Sequence, residues 1–278
     1  VTIQKVTTSV TLVTLGDLMT IKNRPKLSSL MHISRTLAEK TVLTELSPGS
    51  ALHDAICFHY ATKGSEARAA LCLSGSLALG LPADSAVRLA ASVETLHNAS
   101  LIQDDLQDHD EFRRGKLAIW KQFGPDIAIN ATDLMIASAF ELVASAGPTS
   151  AHRLVATMNR AISRTLQGQT KDLNAGHDLN IDQAIAVAKE KSGPLFSLSL
   201  ELPLVLSGHF YFLEKARDAG AAFGIGYQIF DDIHDCLRDR ESGSLSNMAL
   251  LLESSSSSEL ASLESAEDLA SHFLSQAA

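Results

Sequence analysis

This 278-residue chain is poor in cysteine, in aromatic residues and in basic charge. Its three cysteines, Cys57, Cys72 and Cys236, stand at no CxxC or metal-ligand spacing, which excludes a zinc module and a disulfide scaffold and reads as reduced thiols. Lys and Arg number 23 against 32 Asp and Glu, a net charge of -9. An acidic chain is a poor match for nucleic acid or an anionic membrane, although a local basic patch can still hold phosphate. No apolar run approaches the eighteen or so residues of a membrane span. The first residues carry no basic-then-apolar leader pattern. The expectations are no nucleic-acid partner, no membrane span and a cytoplasmic location. Strands do not alternate with helical patterns, which argues against a parallel α/β sheet, and no short-period repeat is present.

What is abundant is Ala and Leu in helical periodicity. Hydrophobic residues make up 45% and charged residues 20%, enough apolar content for a substantial core. In 84–103, Val87, Leu89, Ala90, Val93, Leu96, Ala99 and Ile102 recur mostly three and four apart, the stripe of an amphipathic helix. Segments 126–145, 150–173, 181–207, 213–237 and 259–276 read the same way, with Gly and Pro between several of them. Residues 1–15 are β-branched, and a loose tail over 1–20 is expected. The serine run 254–258 reads as a loop. The chain is therefore expected to be all-α, one large helical domain over 21–278.

Two clusters break the apolar pattern. LIQDDLQDHDEFRRGK (101–116) sets Asp104, Asp105 and Asp108 at i, i+1 and i+4, and Arg113 and Arg114 follow. YQIFDDIHD (227–235) repeats that spacing with Asp231, Asp232 and Asp235. One such cluster is as well explained by a solvated helix end as by a site. Two, each ending an apolar run, are not. Adjacent carboxylates that face a cavity repel one another and call for a cation. Oxygen-only ligands suit Mg²⁺, which keeps waters and shares phosphate oxygens, and arginines suit the same phosphates through bidentate hydrogen bonds. The expected arrangement is a helical bundle around a central cavity, its two acid clusters facing each other across a metal-held diphosphate.

The paired motifs, with RRGK trailing the first, resemble the trans-isoprenyl diphosphate synthases, over about residues 60–240. His97, the GQTKD stretch with Gly168, Gln169 and Asp172, Lys191 with Ser192 in place of the family's Thr, and Gln228 with Tyr227 in place of its Phe resemble further elements of that family. The resemblance implies the type I isoprenoid synthase fold, Mg²⁺ as cofactor and a homodimer. It implies condensation of an allylic diphosphate with isopentenyl diphosphate through an allylic cation. By resemblance, Asp104, Asp105, Asp108 and Asp231 ligate metal with Asp232 and Asp235 in support. Arg113 and Lys191 contact the allylic diphosphate, Ser192 and Gln228 belong to the substrate site, and Arg68, His97 and Arg114 contact isopentenyl diphosphate.

The sequence departs from that pattern in KGSEARAAL (63–71). Ser65 stands where the family carries lysine, Glu66 where it carries arginine and Ala69 where it carries proline, with Lys63 two residues from the missing cation. Small residues before the first cluster, Ala99, Ser100, Thr95 and Ala91, imply room for a product of C20 or longer, unless another residue such as Phe140 closes the pocket. The alternatives are a class I terpene cyclase, an irregular prenyl-coupling enzyme, and a non-catalytic synthase subunit.

Overall fold

A computed structural model describes residues 26–62, 64–174, 180–242, 247–254 and 259–278; the expected tail at 1–20, Lys63 and most of the serine run lie outside the described residues. The described chain is helical except for one hairpin. Its elements are α1 (Leu27–Leu43), α2 (Ala51–Tyr60), α3 (Ala67–Ala78), α4 (Ala83–Gln107), β1 (Phe112–Arg113), β2 (Lys116–Leu117), α5 (Ile119–Phe123), α6 (Pro125–Ser145), α7 (Ala151–Leu173), α8 (Ile181–Lys191), α9 (Gly193–Ser207), α10 (Leu213–Ser242), α11 (Met248–Ser254) and α12 (Glu259–Ala277).

The 84–103 stripe turns out to be the centre of the bundle rather than one face of a surface helix. Through 86–99 nearly every residue of α4 is buried, including Ser92, Glu94, Thr95 and Asn98. The helix is enclosed by α1, α3, α6 and α9, so a one-sided apolar pattern is not required of it. Two of its polar members are held within the helix: Ser92 Oγ donates to Leu89 O at 2.7 Å and Asn98 Nδ2 to Glu94 O at 2.8 Å.

Helix α6 is the one described helix long and apolar enough to cross a membrane. Here it is a core helix, with Ala128, Ala131, Met135, Ala139, Leu142 and Val143 buried and α4 as its main neighbour. A second seam joins α9 to α10, where small residues let the backbones approach. A side chain on Gly220 would strike Ser197, and one on Gly224 would strike Gly193.

The expected single helix over 181–207 is two. Helix α8 ends at Lys191, Ser192 lies between, and α9 starts at Gly193 with Pro194 in its first turn. Proline disfavours helical backbone in the residue before it and lacks an N–H, so a Gly-Pro step ends one helix and starts the next.

Candidate active site

The C-terminal end of a helix is its negative end. Helix α4 nevertheless carries Asp104 and Asp105 in its last turn and Asp108 as its C-cap, with no base there. Asp104 and Asp108, one turn apart, line a cavity of about 540 Å³. Asp105 does not join them, contrary to the expectation that all three share one space. Neighbouring residues point about 100° apart around a helix, and Asp105 is turned inward, 2% exposed, to accept hydrogen bonds from Arg113 Nε at 2.8 Å and from Nη2.

The hairpin that delivers Arg113 is the RRGK stretch. Phe112 pairs with Leu117 and Arg113 with Lys116, leaving Arg114–Gly115 as a two-residue loop with φ of 52° and 76°. Two positive φ values fit a tight primed turn. The turn sends the adjacent arginines to different places. Arg113 reaches the acid cluster. Arg114 reaches the loop before α3, where its guanidinium leaves no room for a side chain on Gly64.

The second cluster lies on α10 and splits the same way. Asp231 and Asp235 line the cavity. Asp232 also borders it but is 7% exposed; it accepts from Gln228 Nε2 at 2.9 Å and from the Met248 N–H at 2.8 Å. Asn247 Nδ2 donates to the Asp232 carbonyl at 2.8 Å. Asp232 thus ties α10 to the start of α11.

The outward carboxylates are strained electrostatically. Burial, then the neighbouring Asp108 against the opposing pull of Lys191, pushes Asp104 up to about 6. Burial, then Asp235, pushes Asp231 up to about 6. An oxygen-only donor set on two facing helices, with two members this reluctant to ionise, fits a hard cation. Among the described residues no three His, Cys, Asp or Glu groups converge tightly enough to enclose one by themselves. A cation there would complete its shell with water and phosphate oxygens.

Lys191 bridges between helices. Its Nζ lies 2.7 Å from Asp172 Oδ2 on α7 and 3.9 Å from Asp108 Oδ2 on α4. Burial lowers its basicity, but Asp104, Asp172 and Asp108 outweigh that and hold it above the usual lysine range. It sits at the α8–α9 break, and Gly168 of α7 packs so closely on the Glu190–Lys191 peptide that any side chain there would displace it. That contact explains the glycine of GQTKD. Ser192 Oγ donates to Gln228 Oε1 at 3.1 Å, so the break is linked through Gln228 to Asp232. Gln169 is 4% exposed, and neither amide atom has a partner.

A second group of cations lines the same cavity. Arg68 is 7% exposed and stacks on Phe196, 3.9 Å from guanidinium carbon to ring centre. Its Nη1 lies 3.2 Å from His97 Nε2. Burial, then the nearby Arg68 and Arg114, hold His97 well below the usual histidine range. The ring is therefore neutral, with Nε2 accepting from arginine and the proton on Nδ1, which has no partner. Arg114, Gly64, Ser65 and Tyr227 complete this wall.

The geometry adds contacts that sequence reasoning missed. Glu66 stands at φ 50° before α3 and pairs with Arg35 of α1 at 3.2 Å. Arg35 also donates to the Tyr60 carbonyl at 2.6 Å. Ser65 Oγ and Tyr227 Oη meet at 3.3 Å; both positions depart from the family pattern, and only their contact shows them to be partners. Glu94, buried below Arg68, has one oxygen without a partner. Of the small residues expected to floor the pocket, Ser100 lines the cavity. Ala99, Thr95 and Ala91 are buried in the core and do not line it.

Residues 50–244 match the polyprenyl synthetase family, and this span covers most of the chain and both acid clusters. The chain belongs to the polyprenyl synthetase family. It is 32% identical over 220 residues to a geranylgeranyl pyrophosphate synthase of Geoglobus acetivorans, covering 77% of this chain and 66% of that protein. It is 30% identical over 239 residues to geranylgeranyl pyrophosphate synthase 7, chloroplastic, of Arabidopsis thaliana, covering 81% and 69%. The solved geranylgeranyl pyrophosphate synthetase of Geoglobus acetivorans superposes with a TM-score of 0.76 at 25% identity, over 90% of this chain and 91% of that one. The all-α isoprenoid synthase fold expected from the sequence is therefore the fold of this family member.

Proposed function

We propose that this chain is a Mg²⁺-dependent trans-prenyltransferase that condenses an allylic diphosphate with isopentenyl diphosphate, with a product of C20 or longer favoured. One observation carries the reading: two separate groups of cations, Arg113 with Lys191 and Arg68 with Arg114, open on one cavity beside the outward acids of both clusters. Two diphosphates side by side require that arrangement. Relatives named geranylgeranyl pyrophosphate synthase support the class and the length.

Asp104, Asp108, Asp231 and Asp235 are assigned as the groups that hold Mg²⁺, with Asp105 and Asp232 in support from behind. Bound there, the metal would withdraw charge from the diphosphate leaving group. Arg113 and Lys191 then hold the allylic diphosphate and stabilise the charge that grows on it as the C–O bond ionises. Ser192 and Gln228 fix the break from which Lys191 projects. Arg68, His97 and Arg114 hold the second diphosphate so that the isopentenyl double bond lies against the allylic carbon. Attack forms the new C–C bond, and loss of one proton, assigned to the released diphosphate, restores the alkene. Leu101 and Leu195 on the cavity wall limit water near the cation.

The deciding assay supplies Mg²⁺ and dimethylallyl, geranyl or farnesyl diphosphate, each with and without isopentenyl diphosphate. Longer prenyl diphosphates formed only with both substrates support the proposal. A hydrocarbon or alcohol formed without isopentenyl diphosphate would instead make the chain a cyclase, a reading favoured by Ser65 in place of a lysine. The proposal includes a homodimer, which sedimentation velocity tests, and a cytoplasmic location, which cell fractionation tests.

A further inference from the structure

The solvent face of α7 differs in charge from the rest of this acidic chain. Arg153, Arg160, Arg164 and Lys171 stand seven, four and seven residues apart. At 100° and 1.5 Å per residue they fall within about 40° of one another, in a stripe about 27 Å long. The one acid of α7, Asp172, is engaged by Lys191. Lys171 pairs with Glu190 at 2.6 Å. Among the described residues Arg153, Arg160 and Arg164 form no ion pair, and Arg164 and Arg160 lie near Glu201, which is already paired with Arg217 at 2.8 Å.

The stripe begins at an exposed aromatic triad. Phe210, Tyr211 and Phe212 form a single 3-10 turn between α9 and α10 and are 43%, 86% and 45% exposed. The chain has ten Phe, three Tyr and one Trp, so a large share of a scarce residue class is spent on one solvent-facing turn. The Arg153 guanidinium lies 5.0 Å from the centre of the Phe210 ring, which makes triad and stripe one continuous surface. Glu214, Lys215 and Asp218 follow the triad in sequence with one positive and two negative charges, so the positive charge of this face lies mainly in the arginines of α7.

We propose that this face docks on the surface of an anionic lipid bilayer. The triad enters the headgroup region and the arginine stripe lies over the anionic headgroups. The choice of a bilayer rests on charge complementarity. Exposed aromatic rings with cationic neighbours suit the lipid–water interface. The docking does not depend on the proposed function. Helix α9 runs from the Lys191 break to the triad, fifteen residues or about 22 Å, and the stripe runs back along α7 as far as Lys171, next to the Asp172–Lys191 pair, so the bundle lies on its α7 side with the triad at one end.

The test is co-sedimentation of the full chain with vesicles of phosphatidylcholine containing about one quarter phosphatidylglycerol, against phosphatidylcholine alone, at about 0.1 M and about 0.5 M salt. The expected result is binding to the anionic vesicles only, weakened by salt. The variant R153E/R160E/R164E should lose more than about tenfold in partition coefficient. F210S/Y211S should lose several-fold and keep its salt dependence. All three proteins should turn over soluble substrates alike. No binding above the phosphatidylcholine control, or equal binding by the charge-reversed variant, overturns the proposal. So does a self-association of the chain that F210S/Y211S abolishes, since the occupant would then be a second copy. Vesicle binding is read without turnover, so it stands or falls separately from the prenyltransferase reading.

Discussion

The two acid clusters share a spacing but not a solution to their charge. On α4 the inward aspartate, Asp105, is neutralised by Arg113, and outward Asp108 stands 3.9 Å from Lys191. On α10 the inward aspartate, Asp232, is held by a side-chain amide and a backbone N–H, and no described lysine or arginine forms an ion pair with Asp231. Two cations, Arg113 and Lys191, engage the first cluster; Asp232 of the second accepts hydrogen bonds from uncharged groups. The same three-residue pattern therefore divides the labour. Under the proposed function the outward acids would meet the ligand from two sides, and the α4 end would add Arg113 and Lys191 as cationic contacts for the leaving group.

The largest expected effect tests the common part. Asp104→Asn and Asp231→Asn should each lower kcat by about 10²–10³-fold, the scale of removing one group that stabilises developing charge, with little change in secondary structure by circular dichroism. A pronounced loss for one and none for the other would mean that only one cluster faces the reacting diphosphate. Stability then separates the inward acids. Arg113→Met leaves a buried carboxylate without its partner and should cost about 3 kcal/mol in urea unfolding, and adding Asp105→Asn should recover most of that stability but not activity. Asp232→Ala instead orphans the Met248 N–H and the Gln228 amide. It should cost about 1–3 kcal/mol, with no single cationic substitution able to offset it.

Much of this was legible before the structure. The all-α class follows from periodicity, and the outward acids of both clusters, Arg113, Arg114, Lys191 and His97 line one cavity. What the sequence did not reveal depends on direction and on distant contacts. That Asp105 and Asp232 turn inward follows from a 100° step per residue, but which side of each helix is core depends on α6, α9 and α11, far along the chain. RRGK forms a hairpin because Arg114 accepts a positive φ before Gly115, a signal overshadowed by the charges. The break at Lys191 is signalled by Gly193–Pro194 but masked by the apolar run that continues across it. The Ser65–Tyr227 contact joins residues 162 positions apart, which no local pattern can show.

A titration sharpens the contrast at lower energy. Asp104 and Asp231 both sit near 6, above the ordinary aspartate range, so the metal-free folded state holds their protons more tightly than the unfolded chain does. That contribution to stability is full below about pH 4 and is lost as pH rises towards and through 6. Asp104→Asn removes its share of the loss. The variant should be more stable than the parent at pH 7.5, by on the order of 1–2 kcal/mol once solvent screening at the open cavity is allowed for, and the difference should vanish near pH 4. Thermal melts at the two pH values without divalent metal measure it. An unchanged gap at both values would mean that Asp104 is ionised without cost.

The smallest effect concerns the wall where the chain departs from its family. A lysine at position 65 would add a cation beside Arg68 and Arg114. The Tyr227 hydroxyl that now meets Ser65 would then compete for the ammonium, so Ser65→Lys alone should help less than Ser65→Lys with Tyr227→Phe. A charge-assisted contact is worth about 1.5–3 kcal/mol when fully formed. At this half-open wall a fall of about three- to tenfold in KM for isopentenyl diphosphate is expected for the double variant, with kcat and the KM of the allylic substrate unchanged. Because Arg113 and Lys191 are untouched, the split between the two KM values is what assigns the wall. A shift in the allylic KM instead would mean that Ser65 faces the first diphosphate and that the two groups of cations serve one ligand.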